Sequence, residues 1–160
     1  MWLFVKQISI LSIINRFLGL HPSGSLVFTG CLDFGEDEQT TTPTKDQLSR
    51  CRVEMYLKPS MKITPLGYKL EGSGIDDAIW FKFKTDVSDL KEIFDSKVVD
   101  TSKLKDGFAF AHDMDGVKWW DTKGKDFLGG QVELPNARFM NVGIEKNDDG
   151  YLVYIMWHET

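Results

Sequence analysis

No acidic residue occurs in the first 30 positions of this 160-residue chain, where Lys6 and Arg16 are the only cations. All 24 Asp and Glu side chains follow Gly30. Setting those two cations aside from the 19 Lys and Arg leaves 17 against 24, a balance of −7 for the remainder. An acidic domain repels phosphate backbones, which argues against nucleic acid as a partner. It suits a basic protein partner, or solubility alone. Cysteine is scarce as well. Cys31 and Cys51 are the only two, and their spacing matches no metal motif. There is no G-x-S-x-G, no glycine-rich phosphate loop and no H-E-x-x-H. These absences argue against the common hydrolases, nucleotide-binding enzymes and zinc proteases, and no motif implies a cofactor. An uninterrupted apolar run of about 20 residues, as a membrane span requires, is missing too. In MWLFVKQISILSIINRFLGL the apolar character is broken by Lys6, Asn15 and Arg16, and His21-Pro22 follows.

What is present is the composition of a globular chain: 42% hydrophobic and 27% charged residues, in a length that fits one domain with a real core. The N-terminal stretch has the positive start and short apolar region of a secretory signal. Its end, LVFTGC at residues 26–31, resembles the lipobox of bacterial lipoproteins: Thr29 and Gly30 stand at the small positions and Cys31 at the acceptor, while Phe28 replaces the usual Leu. The resemblance implies that Cys31 is lipidated, becomes the mature N-terminus and anchors the protein to the membrane on the outer side of the cytoplasm. The tract that follows, DFGEDEQTTTPT, is acidic and polar, which suits a solvated tether. The expected organisation is a signal-like segment at 1–30, a tether at 31–43 and a domain at 44–160. The alternative is a cytosolic acidic binding protein of the immunity type, whose N-terminal segment is a packed helix. If Cys31 carries lipid, Cys51 is a lone thiol, expected as a small core residue.

The domain is expected to be α+β, a mainly antiparallel sheet with two helices packed on it. Thr44-Lys45-Asp46-Gln47 matches a capping box, and Leu48, Cys51 and Met55 recur at helical spacing. A helix from about Lys45 to Leu57 follows, stopped before Pro59. KITPLGYKLEGSG and Asp77–Lys84 read as a strand pair, with Ile79, Phe81 and Phe83 on one face and Trp80, Lys82 and Lys84 on the other. Ser88-Asp89 opens a second short helix whose face is Leu90, Ile93 and Phe94. Farther on, Phe108 to Ala111 alternates and Gly129-Gly130 breaks the chain. Arg138 to Ile144 alternates into a hairpin turned by Asn147-Asp-Asp-Gly150. Tyr151 to Trp157 is apolar on both faces, the mark of a strand inside a sheet covered on both sides or at an interface.

Candidate functional residues are few. His112, Asp113 and Asp115 in AHDMDG carry oxygen and imidazole donors that suit a divalent metal. The spacing lacks the distal Glu of a calcium loop, and Asp and Gly favour tight turns without metal; in an enzyme, His112 with Asp113 or Asp115 would be the acid–base site. Asp148-Asp149 after Asn147 again reads as turn chemistry. Asp76-Asp77 point to opposite faces of an extended chain, which disfavours a shared proton. His158-Glu159 sit near the chain end. Trp119-Trp120 form the best candidate binding surface, because neighbouring rings on a strand face opposite ways and one would be exposed. The expectation overall is a non-enzymatic domain that binds a protein partner.

Overall fold

A computed structural model describes residues 37–72, 76–111 and 114–159. They lie in the compact unit Asp33–Thr160. Seven strands form one antiparallel sheet: β1 (Glu38–Thr40), β2 (Thr64–Gly72), β3 (Asp77–Thr85), β4 (Lys105–Phe108), β5 (Phe127–Leu134), β6 (Arg138–Asn147) and β7 (Gly150–Glu159). Their spatial order is β1-β2-β3-β7-β6-β5-β4. The last strand in sequence is therefore the central one. It pairs with β3 from Ala78↔His158 to Thr85↔Tyr151, and with β6 from Arg138↔Glu159 to Asn147↔Gly150.

The architecture is dominated by the sheet, and the described residues hold one α-helix, α1 (Lys45–Glu54), rather than two. The capping box forms as its residues demand: Thr44 Oγ1 accepts from Gln47 N at 3.2 Å, and Gln47 Oε1 accepts from Thr44 N at 2.8 Å. Gln47 Nε2 also donates to Glu38 Oε2 at 2.7 Å and fastens β1 to the helix start. Three residues of the acidic Thr-rich tract thus belong to the folded sheet. The helix ends earlier than the Leu57 expected from its periodicity. Tyr56 turns to φ 52°, its N–H reaches Val53 O at 3.3 Å, and Leu57 N reaches Arg52 O at 3.0 Å. This is a Schellman closure carried by a tyrosine, where glycine is the usual signal.

The second expected helix is a single 3₁₀ turn, Leu90–Glu92, with the Asp89 carboxylate accepting from Lys91 N at 2.9 Å. It cannot continue because the following backbone is committed elsewhere. Lys58 N donates to Ile93 O, Asp95 N donates to Tyr56 O, and Leu57 and Phe94 form an isolated β-bridge. A second 3₁₀ turn spans Thr101–Lys103. Among the described residues no helix is long and apolar enough to cross a membrane.

Alternation along the strands sorts two cores. Tyr68, Ile79, Phe81, Phe83, Met140, Val142, Val153, Ile155 and Trp157 point to the face covered by α1 and the connections after it, where Cys51, Met55, Ile93 and Phe94 close the layer. Trp80, Phe127 and Tyr154 point to the opposite face, where the segment between β4 and β5 lies across them with Phe110, Val117 and Trp120. Two-sided burial of β7 matches its unbroken apolar sequence.

Glycines make room on the second face. Gly129 does not break the chain; it and Gly130 lie within β5. A Cβ on Gly129 would stand 2.1 Å from Val142 O and 2.7 Å from the Phe108 ring, and one on Gly143 would stand 2.6 Å from Phe110. On Gly67 in β2, a Cβ would stand 2.0 Å from the indole of Trp119. The aromatic layer is seated directly on bare backbone at these points.

Substituting Gly67→Ala should therefore lift Trp119 and lower stability by ~1–3 kcal/mol, the usual cost of overpacking. Urea denaturation followed by tryptophan fluorescence measures both effects; an unchanged midpoint would contradict the seating of Trp119 on Gly67.

Candidate functional site

The densest set of interacting charged groups in the described residues lies at the second face, and sequence reading did not single it out. It joins β3, β6 and β7 to the segment that covers them. Alternation puts Lys82 and Tyr154, direct cross-strand neighbours, on this face, with Glu145 beside them on β6. The turn after Trp120 brings in Asp121, and Lys125 follows four residues later. Lys82 Nζ pairs with Asp121 Oδ1, and Lys125 Nζ reaches Asp121 Oδ2 at 3.0 Å. Lys125 also lies 3.3 Å from Glu145 Oε1 and donates to the Tyr154 hydroxyl at 3.2 Å. That hydroxyl in turn donates to Asp121 Oδ1 at 3.0 Å. Both ammonium groups sit over the Tyr154 ring, at 4.7 Å for Lys82 and 5.5 Å for Lys125.

Each group stabilises the charge state of its neighbour. Burial alone would raise the Asp121 carboxyl, but hydrogen bonds from Lys82 and Lys125 outweigh it and hold the group at about 2. Desolvation works against the Lys125 ammonium, yet bonds to Asp121 and Tyr154 keep it above the ordinary lysine range. Burial, reinforced by the carboxylates of Glu145 and Asp121, pushes the Tyr154 hydroxyl above its usual value despite the bond from Lys125. An acid or base catalyst works best with a pKa near the operating pH. Asp121, Lys125 and Tyr154 are all driven away from neutrality. Chemically the cluster is a clamp: it neutralises Lys82, only 7% exposed, and ties the covering segment to the sheet.

The sequence-predicted residues fare differently. Trp119 and Trp120 lie in a turn, not on a strand. Trp120 is 2% exposed and meets Phe110 at 5.1 Å and Tyr154 at 5.6 Å between ring centroids. Trp119 is half-buried, edge-on to Trp120 at 5.8 Å. Both rings pack inward, so the pair does not present one outward-facing indole. Their indole N–H groups are buried without a partner among the described residues. Large aromatic burial offsets that loss.

Of the metal candidates, His112 and Asp113 lie outside the described residues, as does Cys31, while Asp115 is exposed. Among the described residues no group of three or more His, Cys, Asp or Glu side chains could hold a metal ion. Asn147 Oδ1 accepts from Asp149 N at 3.1 Å, the local turn chemistry expected there. Asp77 pairs with Arg50 at 2.6 Å and links β3 to α1. His158, near the chain end, sits in β7, stacked on Phe139 at 5.6 Å. Cys51 is a fully buried free thiol, and desolvation pushes it up to about 12. It is a core residue, and the protonated thiol is no nucleophile at neutral pH.

Two outcomes follow. Asp121 has a folded-state pKa below its unfolded value of 3.8, so its stabilisation is complete above that value and is lost as pH falls through about 2. Asp121→Asn should cost ~2 kcal/mol at pH 7 by leaving Lys82 uncompensated, less than a fully buried pair because the carboxylate is half exposed. The difference from the unsubstituted protein should shrink between pH 4 and 2 in denaturant melts; a pH-independent difference would contradict the clamp. Cys51 should resist iodoacetamide at pH 8 in the folded protein and react fully in urea, as read by peptide mass mapping.

Family models, curated proteins and solved structures yield no match to this chain.

Proposed function

We propose that this is a small lipid-anchored envelope protein, attached through Cys31, whose acidic domain binds a protein partner without catalysing a reaction. The observation that carries the reading is the order of features in one short stretch: an apolar segment without acids, LVFTGC, then an acidic tract that enters the sheet at Glu38. Six residues lie between Cys31 and Glu38, which makes seven steps along the chain. At about 3.5 Å per extended residue they reach no farther than ~25 Å, which would hold the domain close to the bilayer surface. A single acyl chain binds membranes only marginally, whereas the diacylated cysteine implied by the motif anchors stably.

The domain supports a binding role more than an enzymatic one. Its clamp groups are mutually paired and titrate far from neutrality, and its described thiol is sealed in the core. Its acidic balance would steer a basic partner toward it.

Fractionation of cells expressing the full chain, followed by mass analysis of the mature N-terminus, tests the anchor. The expected product is membrane-bound and begins at a diacylated Cys31, and Cys31→Ser leaves the precursor unprocessed. A soluble product that retains Met1 to Gly30 would overturn the reading in favour of a cytosolic acidic binding protein.

A further inference from the structure

Beside the clamp, on the same face of the sheet, lies a cleft of about 340 Å³. It falls within the range of ~300–1,000 Å³ typical of small-ligand sites. Its wall is the stretch 108–111, where the chain leaves β4 and crosses toward the turn that carries Trp119 and Trp120. Its floor is the open part of β5, β6 and β7. Gln131, Asn141 and Met156 stand side by side there as direct cross-strand neighbours, and His158 contributes from the next row.

The lining is chemically selective. Among the described residues it contains no Asp, Glu, Lys or Arg, so none of them brings a permanent charge to a ligand. Its polar members are two primary amides and an imidazole, each able to donate and to accept. These groups are not spent on the protein. The Asn141 amide makes one contact among the described residues, from its nitrogen to Met156 Sδ at 3.9 Å, and sulfur is a weak acceptor. The Gln131 side chain is exposed and has no hydrogen-bond partner among the described residues.

The apolar wall is built of aromatic rings packed edge to face. Phe108 and Phe110 meet edge to face at 75°, and Phe110 is again edge-on to Trp120 and Phe127. Phe108 and Phe110 are partly exposed and present apolar surface to the cleft. A ligand that fits has no net charge, a rim of groups that both donate and accept, and a compact C–H surface.

A sugar has that combination. We propose that this cleft binds a neutral saccharide, with hydroxyls on Gln131, Asn141 and His158 and the C–H face of the ring against Phe108 and Phe110. The binding mode does not depend on the membrane anchor, and its test is separate from that of the anchor.

The full chain, applied to a printed array of neutral and acidic oligosaccharides, should be retained by neutral glycans. For the best of these, calorimetric titration should show Asn141→Ala weakening binding about tenfold. Ala109→Phe, at an exposed position of the wall, should abolish it by filling the cleft while the thermal melt is unchanged. Retention by acidic glycans alone, retention by none, or neutral-glycan binding that survives both substitutions would overturn the proposal.

Discussion

From Tyr151 to Trp157 this chain has no side that tolerates water, and β7 is placed at the centre of a seven-stranded sheet. A strand of that kind is stable only if both faces of the sheet are covered. One cover is easily built: α1 and the connections after it bring Cys51, Met55, Ile93 and Phe94 onto Phe81, Val142 and Ile155. Among the described residues, the other has no helix or sheet to supply it. It is an irregular segment that adheres through aromatic rings, Val117, Met114 and charge. Much of the remaining design follows from making such a segment hold.

The rings adhere because backbone is left bare beneath them. Gly67 and Gly143 let Trp119 and Phe110 approach to distances that a β-carbon would forbid. The charges adhere because Lys82, pointing into a layer with little water, is balanced by Asp121 from the covering segment, with Lys125, Tyr154 and Glu145 completing the set. A buried ion pair is weak evidence for net stability, since its desolvation cost is large. Its value here lies in register: Asp121 meets Lys82 of β3 while Lys125 of the same segment meets Glu145 of β6. Where the cover stops short, the sheet stays partly open, and the amides of β5 and β6 are left facing the cleft.

The strands and hairpins follow closely from local pattern. Period-two alternation in Asp77–Lys84 and Arg138–Ile144, and the Asn-Asp-Asp-Gly turn, correspond to β3, β6 and the β6–β7 hairpin because side-chain direction in a strand is a local property. The capping box likewise works over four residues. Element ends were less legible. Tyr56 adopts a left-handed conformation with no glycine to announce it, and the turn at Leu90–Glu92 stops because its neighbours bond to residues about 35 positions earlier. Gly129-Gly130 resembled a break because a glycine tolerated for close packing and a glycine that ends a strand are the same letter.

By itself, then, the sequence determined the antiparallel strands, the cap of α1, the two-sided burial of β7 and the uneven distribution of charge, all of which depend on short-range spacing and composition. Tertiary structure decided which aromatic rings are inside. It moved Trp119 and Trp120 from candidate surface to core layer, and Lys82 from apparent solvent face to buried clamp. It also assembled Gln131, Asn141, Met156 and His158 from three strands into one cleft floor. Those outcomes rest on pairings between residues many positions apart, and on the volume left free above particular glycines. Neither is written in any local window of the chain.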